Sequence, residues 1–477
     1  MEKGFFGKTR VESDLIGELQ VPADALYGVQ TLRGLENFPI SKFKLNDYPA
    51  FIRGLAYTKM AAAMANYDLG LLTEEQFHAI KQACQEILDG KHHDMFPVDM
   101  IQGGAGTTTN MNANEVIANR ALQIMGHQLG EYKYCSPNDH VNCSQSTNDA
   151  YPTAIHLGLY EIHFEYIKHF EELIASFRNK ADEFKDVLKM GRTQLEDAVP
   201  MTLGQTFGAF AKILEDEIKN LQQAASELLI VNMGATAIGT GICSEPGYAI
   251  KCTQYLKEIT GWDIQLAEDL VAATSDTSSM VGFSSALRRI ATKMNKISND
   301  LRLLGSGPRC GLHELDLPAR QPGSSIMPGK VNPVIPEVMN QISYKVIGND
   351  LCVAMCNEAA QMELNAMEPV MAQCCFESAE IMMNGFDVLR KYCIEGIKAD
   401  KKHCNENIKN SIGIVTALNP VIGYKNSTKI AKEALETGKS VYDLVLEHGI
   451  LTQEDLDTIL SPENMIKPVK LNIKPLK

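Results

Sequence analysis

Residues 155–188 read IHLGLYEIHFEYIKHFEELIASFRNKADEFKDVL. Within them Ile155, Leu159, Ile162, Tyr166, Phe170, Leu173, Phe177, Ala181, Phe184 and Leu188 follow steps of 4, 3, 4, 4, 3, 4, 4, 3 and 4. That spacing tracks the 3.6-residue turn and predicts one apolar face along a single very long helix. The pattern returns in Leu203, Phe207, Phe210, Leu214, Ile218, Leu221, Ala225 and Leu228, and again in Leu287, Ile290, Met294, Ile297, Leu301 and Leu304. Residues 335–366 and 370–396 are rich in Met, Ala and Cys, with apolar residues on more than one face, which predicts helices buried on several sides. The five segments together predict an all-α fold with a five-helix core. Helices of about 25 to 35 residues span roughly 40–50 Å at 1.5 Å per residue, more than a compact single core needs. They are expected to pack against copies of themselves.

Working outward, strand signals are few: an alternation near Arg10–Val21 and another near Val187–Val199, broken by Gly191 and Pro200. The expected organisation is an N-terminal, mostly helical domain over 1–145, a central helical bundle over 146–396, and a small C-terminal helical domain over 397–477. The chain has 477 residues, of which 45% are hydrophobic, ample for a sizeable core. A formal net charge of -14 argues against nucleic-acid or anionic-membrane binding, which needs a clustered cationic field. The opening segment MEKGFFGKTRVESD lacks the apolar stretch of a secretory signal. The longest uncharged stretch, Leu228–Ser244, carries Asn232, Thr236, Thr240 and glycines, and makes a poor membrane span. A soluble cytoplasmic protein is expected. Twelve cysteines occur without a paired CxxC. Even Cys352 and Cys356, the nearest approach to one, sit on an apolar helical stretch and read as small core hydrophobes.

Three polar, glycine-rich segments lie between the long helices, where a rigid scaffold presents functional loops. Residues 102–112, QGGAGTTTNMN, join small residues to three hydroxyls and two asparagines, which reads as a helix start with threonine caps and equally as an anion site. Residues 136–149, SPNDHVNCSQSTND, are too polar for a core and precede the longest helix, with Asn148 or Asp149 near its cap. Residues 323–333, GSSIMPGKVNP, set two serines, a lysine and an asparagine among Gly and Pro, a combination suited to a lid carrying a nucleophile or base. A phosphate loop is excluded there, because the glycine spacing is wrong and Val331 replaces the required hydroxyl. Residues 234–241, GATAIGTG, lack a preceding strand signal and read as a connection between helices. His92, His93, His140 and His313 show no metal-ligand spacing and read as structural.

Taken with QGGAGTTTNMNANE, PNDHVNCSQSTNDAYPT, GRTQLEDAVPMTLGQ and GATAIGTG, all in order, GSSIMPGKVNP makes the chain resemble the aspartase/fumarase superfamily over essentially its whole length. VPADALYGVQTLRGLENFPIS, the SQSTND form of the second motif and Gln194 after Thr193 make it similar to the aspartate ammonia-lyase branch. The resemblance implies a three-domain fold whose central five-helix bundle joins three others in a twenty-helix tetramer core. Each active site of that homotetramer would be shared by three subunits. It also implies elimination of ammonia from L-aspartate to give fumarate, with Ser324 as the base and an enediolate intermediate. Thr107, Ser146, Thr147 and Ser325 would then surround the β-carboxylate, Lys330 and Asn332 the α-carboxylate, and Asn148, Thr193 and Gln194 the departing amino group. Glu337 stays outside the core set.

No cofactor is implied. Divalent metal can modulate activity in this family, but the sequence offers no ligand set for one. Where Gln194 stands the family often has histidine; an ammonium leaving group needs less help than hydroxide, which favours the ammonia-lyase over its alternative, a class II fumarate hydratase acting on L-malate. The alternative of another class is an inactive scaffold or binding protein, against which the intact Ser324, Lys330, Asn332, Thr107 and Asn148 speak. Argininosuccinate- and adenylosuccinate-type lyases share the scaffold but differ in these motifs.

Overall fold

The computed structural model describes residues 7–476; residues 1–6, the start of the segment read above for a secretory signal, lie outside the described residues. In chain order, a hairpin of β1 (Thr9–Asp14) and β2 (Gly17–Pro22) leads into α1 (Val29–Asn37), α2 (Pro49–Asp68), α3 (Glu74–Leu88) and α4 (Thr107–Ile124). The long α5 (Thr147–Glu183) is followed by the hairpin β3 (Leu188–Thr193) and β4 (Glu196–Thr202), then α6 (Leu203–Glu227) and the short β5 (Ile230–Val231). Next come α7 (Tyr248–Thr260), β6 (Gln265–Leu266), α8 (Leu270–Ser275), α9 (Ser278–Leu304), β7 (Leu315–Asp316), α10 (Val334–Glu358) and α11 (Glu368–Tyr392). The chain closes with β8 (Lys398–Ala399), α12 (Lys401–Asn410), α13 (Val415–Thr437), α14 (Val441–Glu447), α15 (Gln453–Ile459) and α16 (Pro462–Met465).

The all-α expectation holds: the described strands form only two-stranded sheets, and the five segments expected to be long helices are α5, α6, α9, α10 and α11. At 37 residues, α5 spans about 55 Å. Among the described residues no helix is long and apolar enough to cross a membrane.

Several boundaries differ from the expected ones, α11 for example ending at Tyr392 rather than 396, and three have a clear physical reason. The apolar step to Leu188 overshoots, because α5 stops at Glu183 and Leu188 opens β3, where it packs on the C-terminal cluster around Met190, Ile408 and Leu418. A buried strand position happened to fall in phase with the helix. Likewise α10 ends at Glu358 rather than 366, where Asn365 Nδ2 satisfies the Cys356 carbonyl at 3.1 Å. The third is upstream of residues 234–241, where β5 pairs in parallel with β6, so this stretch joins a two-residue strand to α7 rather than two helices.

The chain divides into two compact units. The first comprises Met1–Lys168, Glu217–Ala291 and Tyr344–Met382. Its core gathers Ala61, Ala62 and Ala65 of α2, Ala150 and Leu157 of α5, and Tyr248, Cys252 and Leu256 of α7. Small residues let α2 and α5 nearly touch: a Cβ on Gly54 would lie 2.2 Å from the Ala154 carbonyl oxygen, and one on Gly158 would lie 2.9 Å from that of Ala50. The second unit comprises His169–Asp216, Thr292–Ser343 and Met383–Lys477. There Phe177 and Phe184 of α5 pack edge-on against Phe210 and Phe207 of α6, and Asn340 of α10 donates to both Asn295 and Asn299 of α9.

Candidate active site

In the first unit, Thr107, Ser146, Thr147 and Asn148 stand at two helix starts. Thr107 opens α4, but the cap is Gly106, in the left-handed region at φ 89°, with no side-chain cap bond, and not a threonine as expected. A Cβ at Gly106 would meet the Tyr151 ring at 2.4 Å, so only glycine fits. Thr107 Oγ instead donates to the Gly104 carbonyl at 2.7 Å. Ser146 precedes α5, its Oγ accepting from the Asn148 amide at 3.3 Å, while its own amide donates to Asp149 Oδ1 at 2.9 Å.

Beneath these residues lies Lys59 of α2, which is 0% exposed. Its Nζ donates to Asn110 Oδ1 at 2.7 Å, Gln145 Oε1 at 2.8 Å and Asn142 Oδ1 at 3.0 Å. Asn110 Nδ2 passes the chain on to Thr147 Oγ at 3.1 Å, which leaves the threonine proton to be donated elsewhere. Asp149 is equally buried, its Oδ2 accepting the amides of Thr236 at 2.9 Å and Gly234 at 3.0 Å, so the glycine-rich connection closes over the start of α5. Burial lowers Lys59 to about 7 against the pull of Asp149. Burial also raises Asp149 to about 6, opposed by its backbone donors and by Lys59. Asn148 Nδ2 donates to the Ala237 carbonyl at 2.8 Å, which leaves Oδ1 as an acceptor.

In the second unit, residues 323–332 form a loop pinched at its base. The Gly323 amide donates to the Lys330 carbonyl at 2.7 Å, and Asn332 Nδ2 donates to the Gly323 carbonyl at 2.8 Å. Gly323 is therefore a packing glycine, with room for no Cβ beside Lys330 and Asn332, whereas Gly329 has φ 80° and open space around it. Half-buried Ser324 receives two backbone amides on Oγ, from Met327 at 3.0 Å and Ile326 at 3.1 Å. Exposed Ser325 and Lys330 lie on the same loop. Thr193 and Gln194 sit at the tip of the β3–β4 hairpin, where Thr193 pairs with Glu196 across a two-residue loop. Both loop residues are left-handed, Gln194 at φ 54° and Leu195 at φ 68°. This double-positive geometry is one that Asn-Gly usually supplies. Behind the tip, Glu314 is fully buried between Arg192 at 2.6 Å and Lys189 at 3.2 Å, an ion triad that braces the hairpin.

Among the described residues no group of three or more His, Cys, Asp or Glu side chains is placed to hold a metal ion. The twelve cysteines are free thiols.

A lyase family profile matches residues 17–348, and a fumarase C C-terminal profile matches residues 414–467. The chain is 55% identical over 469 residues to the aspartate ammonia-lyase of Pseudomonas canavaninivorans, covering 98% of each chain. The chain belongs to the aspartase/fumarase lyase family. Among solved structures, a fumarate lyase:delta crystallin from Brucella melitensis bound to cobalt superposes with a TM-score of 0.93 at 49% identity, over 96% of this chain and 100% of that one. A class II fumarase from Schistosoma mansoni gives 0.90 at 32% identity, over 96% of this chain and 99% of that one.

The family motifs thus fall on helix starts and loop tips, but the residues underneath were not read from the sequence. Lys59 had a signal: it is the lone charge within YTKMAAAMAN, an otherwise apolar helical run. The Glu314 triad had none, since its partners are far apart in sequence.

Proposed function

We propose that this chain is an aspartate ammonia-lyase, catalysing reversible anti-elimination of ammonia from L-aspartate to give fumarate. The observation that carries this reading is 55% identity across 98% of both chains to a relative of that name, against 32% to a class II fumarase.

In the proposed chemistry Ser324 Oγ removes a proton from Cβ. A serine hydroxyl is a poor base unless its alkoxide is stabilised. The two amides converging on Oγ support this role, because they offer fixed dipoles where the negative charge resides. Charge then builds on the β-carboxylate as an enediolate, and Thr147, Ser146, Ser325 and Thr107 are the proposed donors. Thr147 suits the task as it stands, its oxygen already occupied by Asn110. Thr107 must turn its hydroxyl away from Gly104. Lys330 supplies the charge for the α-carboxylate and Asn332 a directional bond. Asn148, Thr193 and Gln194 receive the amino group; an amide suffices for ammonia as leaving group, where hydroxide would call for an acid.

On this reading the active enzyme is a cytoplasmic homotetramer divided functionally near residues 145 and 396, and each site draws on three subunits. Along α10, Tyr344, Gly348, Leu351 and Met355 follow steps of 4, 3 and 4, and the three large side chains are exposed, which supports helix-on-helix association between copies. Side chains and backbone supply the base, the anion donors and the leaving-group contacts, so the proposed mechanism uses no cofactor.

The test is ultraviolet detection of fumarate from L-aspartate, with L-malate and D-aspartate in parallel. Product from L-aspartate alone is expected. Product from L-malate alone would move the chain to the fumarases, and silence throughout would favour an inactive scaffold or another amino-acid substrate.

A further inference from the structure

A cleft of about 300 Å³ in the first unit, separate from the residues assigned above, is lined by His156, Glu227, Asn232, Asp276, Ser279 and Glu368 among others. His156 Nδ1 faces the Ile230 carbonyl at 3.1 Å and must donate to it, so Nε2 accepts from Ser279 Oγ at 2.9 Å. The imidazole is committed as a neutral fixture, and burial pushes it down to about 4. Glu227 and Asp276 stand exposed at the rim. Glu368 is different. It is 2% exposed, and its Oε2 has no hydrogen-bond partner. A buried carboxyl oxygen without a partner is costly, which makes Glu368 Oε2 an acceptor open to a ligand.

We propose that this cleft binds a small hydrogen-bonding cation of the ammonium class, ammonium ion itself or a primary amine, with Glu368 as its deep acceptor and Glu227 and Asp276 as its outer charges. The two rim carboxylates, Glu227 and Asp276, alone outweigh the roughly half positive charge contributed by each of the helix starts at Ser278 and Glu368. The carboxyls are too dispersed to ligate one metal ion, which would need oxygens within about 2.0–2.6 Å. Donors of the N–H type reach hydrogen-bond distance from a wider cavity. The cleft is also wired toward the leaving-group residues: Asn232 Nδ2 donates to the Asn148 carbonyl at 3.1 Å and to Thr274 Oγ at 3.2 Å. The link to turnover rests on the lyase reading, in which ammonium is the product; the binding claim does not.

Burial holds the Glu368 carboxyl well above its ordinary range, amid Tyr151 and His156 of α5, Glu227 of α6 and Asp276 ahead of α9. A bound cation stabilises the ionised carboxylate, so cation binding favours release of a proton from this carboxyl to solvent.

The experiment is titration calorimetry on the intact enzyme with ammonium, methylammonium and tetramethylammonium chlorides at constant ionic strength, in two buffers of different ionisation enthalpy. Saturable binding of the first two is expected, with a buffer-dependent heat reporting proton release, and at least about tenfold weaker binding of tetramethylammonium, which has no N–H. Glu368→Gln and the rim variant Glu227→Gln should each weaken binding about tenfold or more, and the rim variant carries the test if the buried one fails to fold. No saturable binding by the wild type, or undiminished binding by both variants, overturns the proposal. So does Glu368→Gln dissociating the assembly by sedimentation, since the missing partner would then be a cationic side chain of another copy. Binding without fumarate formation from L-aspartate would sink the lyase reading and leave this site standing; turnover without binding would do the reverse.

Discussion

Lys59 Nζ donates to Asn110 Oδ1 at 2.7 Å, and Asn110 donates in turn to Thr147 Oγ at 3.1 Å. The hydroxyl proposed to meet the substrate's β-carboxylate thus stands two hydrogen bonds from a fully buried amine. Lys59→Met keeps the apolar stem but removes all three donations and leaves the Asn110, Asn142 and Gln145 oxygens without that partner. It should cost about 1–3 kcal/mol in urea unfolding and lower kcat/KM about tenfold or more. An unchanged kcat/KM would mean that the network is only structural.

Ser324→Ala should cut kcat by about three orders of magnitude or more while leaving the fold intact, because it removes the proposed base from the two amides that converge on it. Lys330→Ala should instead act chiefly on KM, raising it at least about tenfold through loss of the proposed α-carboxylate contact. Steady-state fumarate formation separates the two, and a serine variant with near-normal kcat sinks the base assignment.

At the hairpin tip, Leu195 pays for its left-handed φ of 68° without burying its side chain, which is 71% exposed. Leu195→Gly should stabilise the protein by up to about 1 kcal/mol, since a left-handed L-residue costs roughly 1–2 kcal/mol and glycine gives part of that back through its freer unfolded chain. Thermal unfolding reads this as a raised midpoint; a lowered one would show that the leucine packs against something at the tip.

Glu86 of α3 accepts from Arg120 Nε at 2.6 Å and Nη2 at 2.9 Å, and meets His92 Nε2 at 2.9 Å. Arg120 above all holds its carboxyl down at about 2, against an ordinary value of 4.5. A carboxylate lowered on folding contributes stability above its unfolded value and loses it as pH falls through the folded one. The deficit of Glu86→Gln should therefore be full above pH 4.5, about 1 kcal/mol after solvent screening, and fade as the pH approaches about 2. Urea midpoints across that range check it, and a deficit independent of pH would overturn it.

Much of the helical architecture was legible because long helices bury repeated faces, and repetition survives without knowledge of partners. Ends were less legible. Leu188 kept the helical phase while belonging to a strand, and Asn365, inside the stretch expected to be helical, instead closes α10 from beyond its end. The motif residues could be found as polar islands between apolar faces. The cap at Gly106 was misread because three adjacent threonines outweighed a glycine whose role is set by Tyr151, far along the chain. Lys59 carried a signal of another kind, a lone charge in an apolar helical run, outside every polar island. Gln194 gave no hint of its left-handed backbone, since the glycine that marks such loops is missing.

The approach of Gly54 to Ala154, and of Gly158 to Ala50, sets a phase along α5. A single residue inserted between Asn148 and Gly158 would rotate one end of that stretch by about 100° relative to the other. Either Asn148 would leave the polar cluster, or a bulky side chain would turn into the place where α2 tolerates none. The spacing from the start of α5 to the helix crossing is therefore a fixed length, which an insertion could change only at the expense of one end or the other.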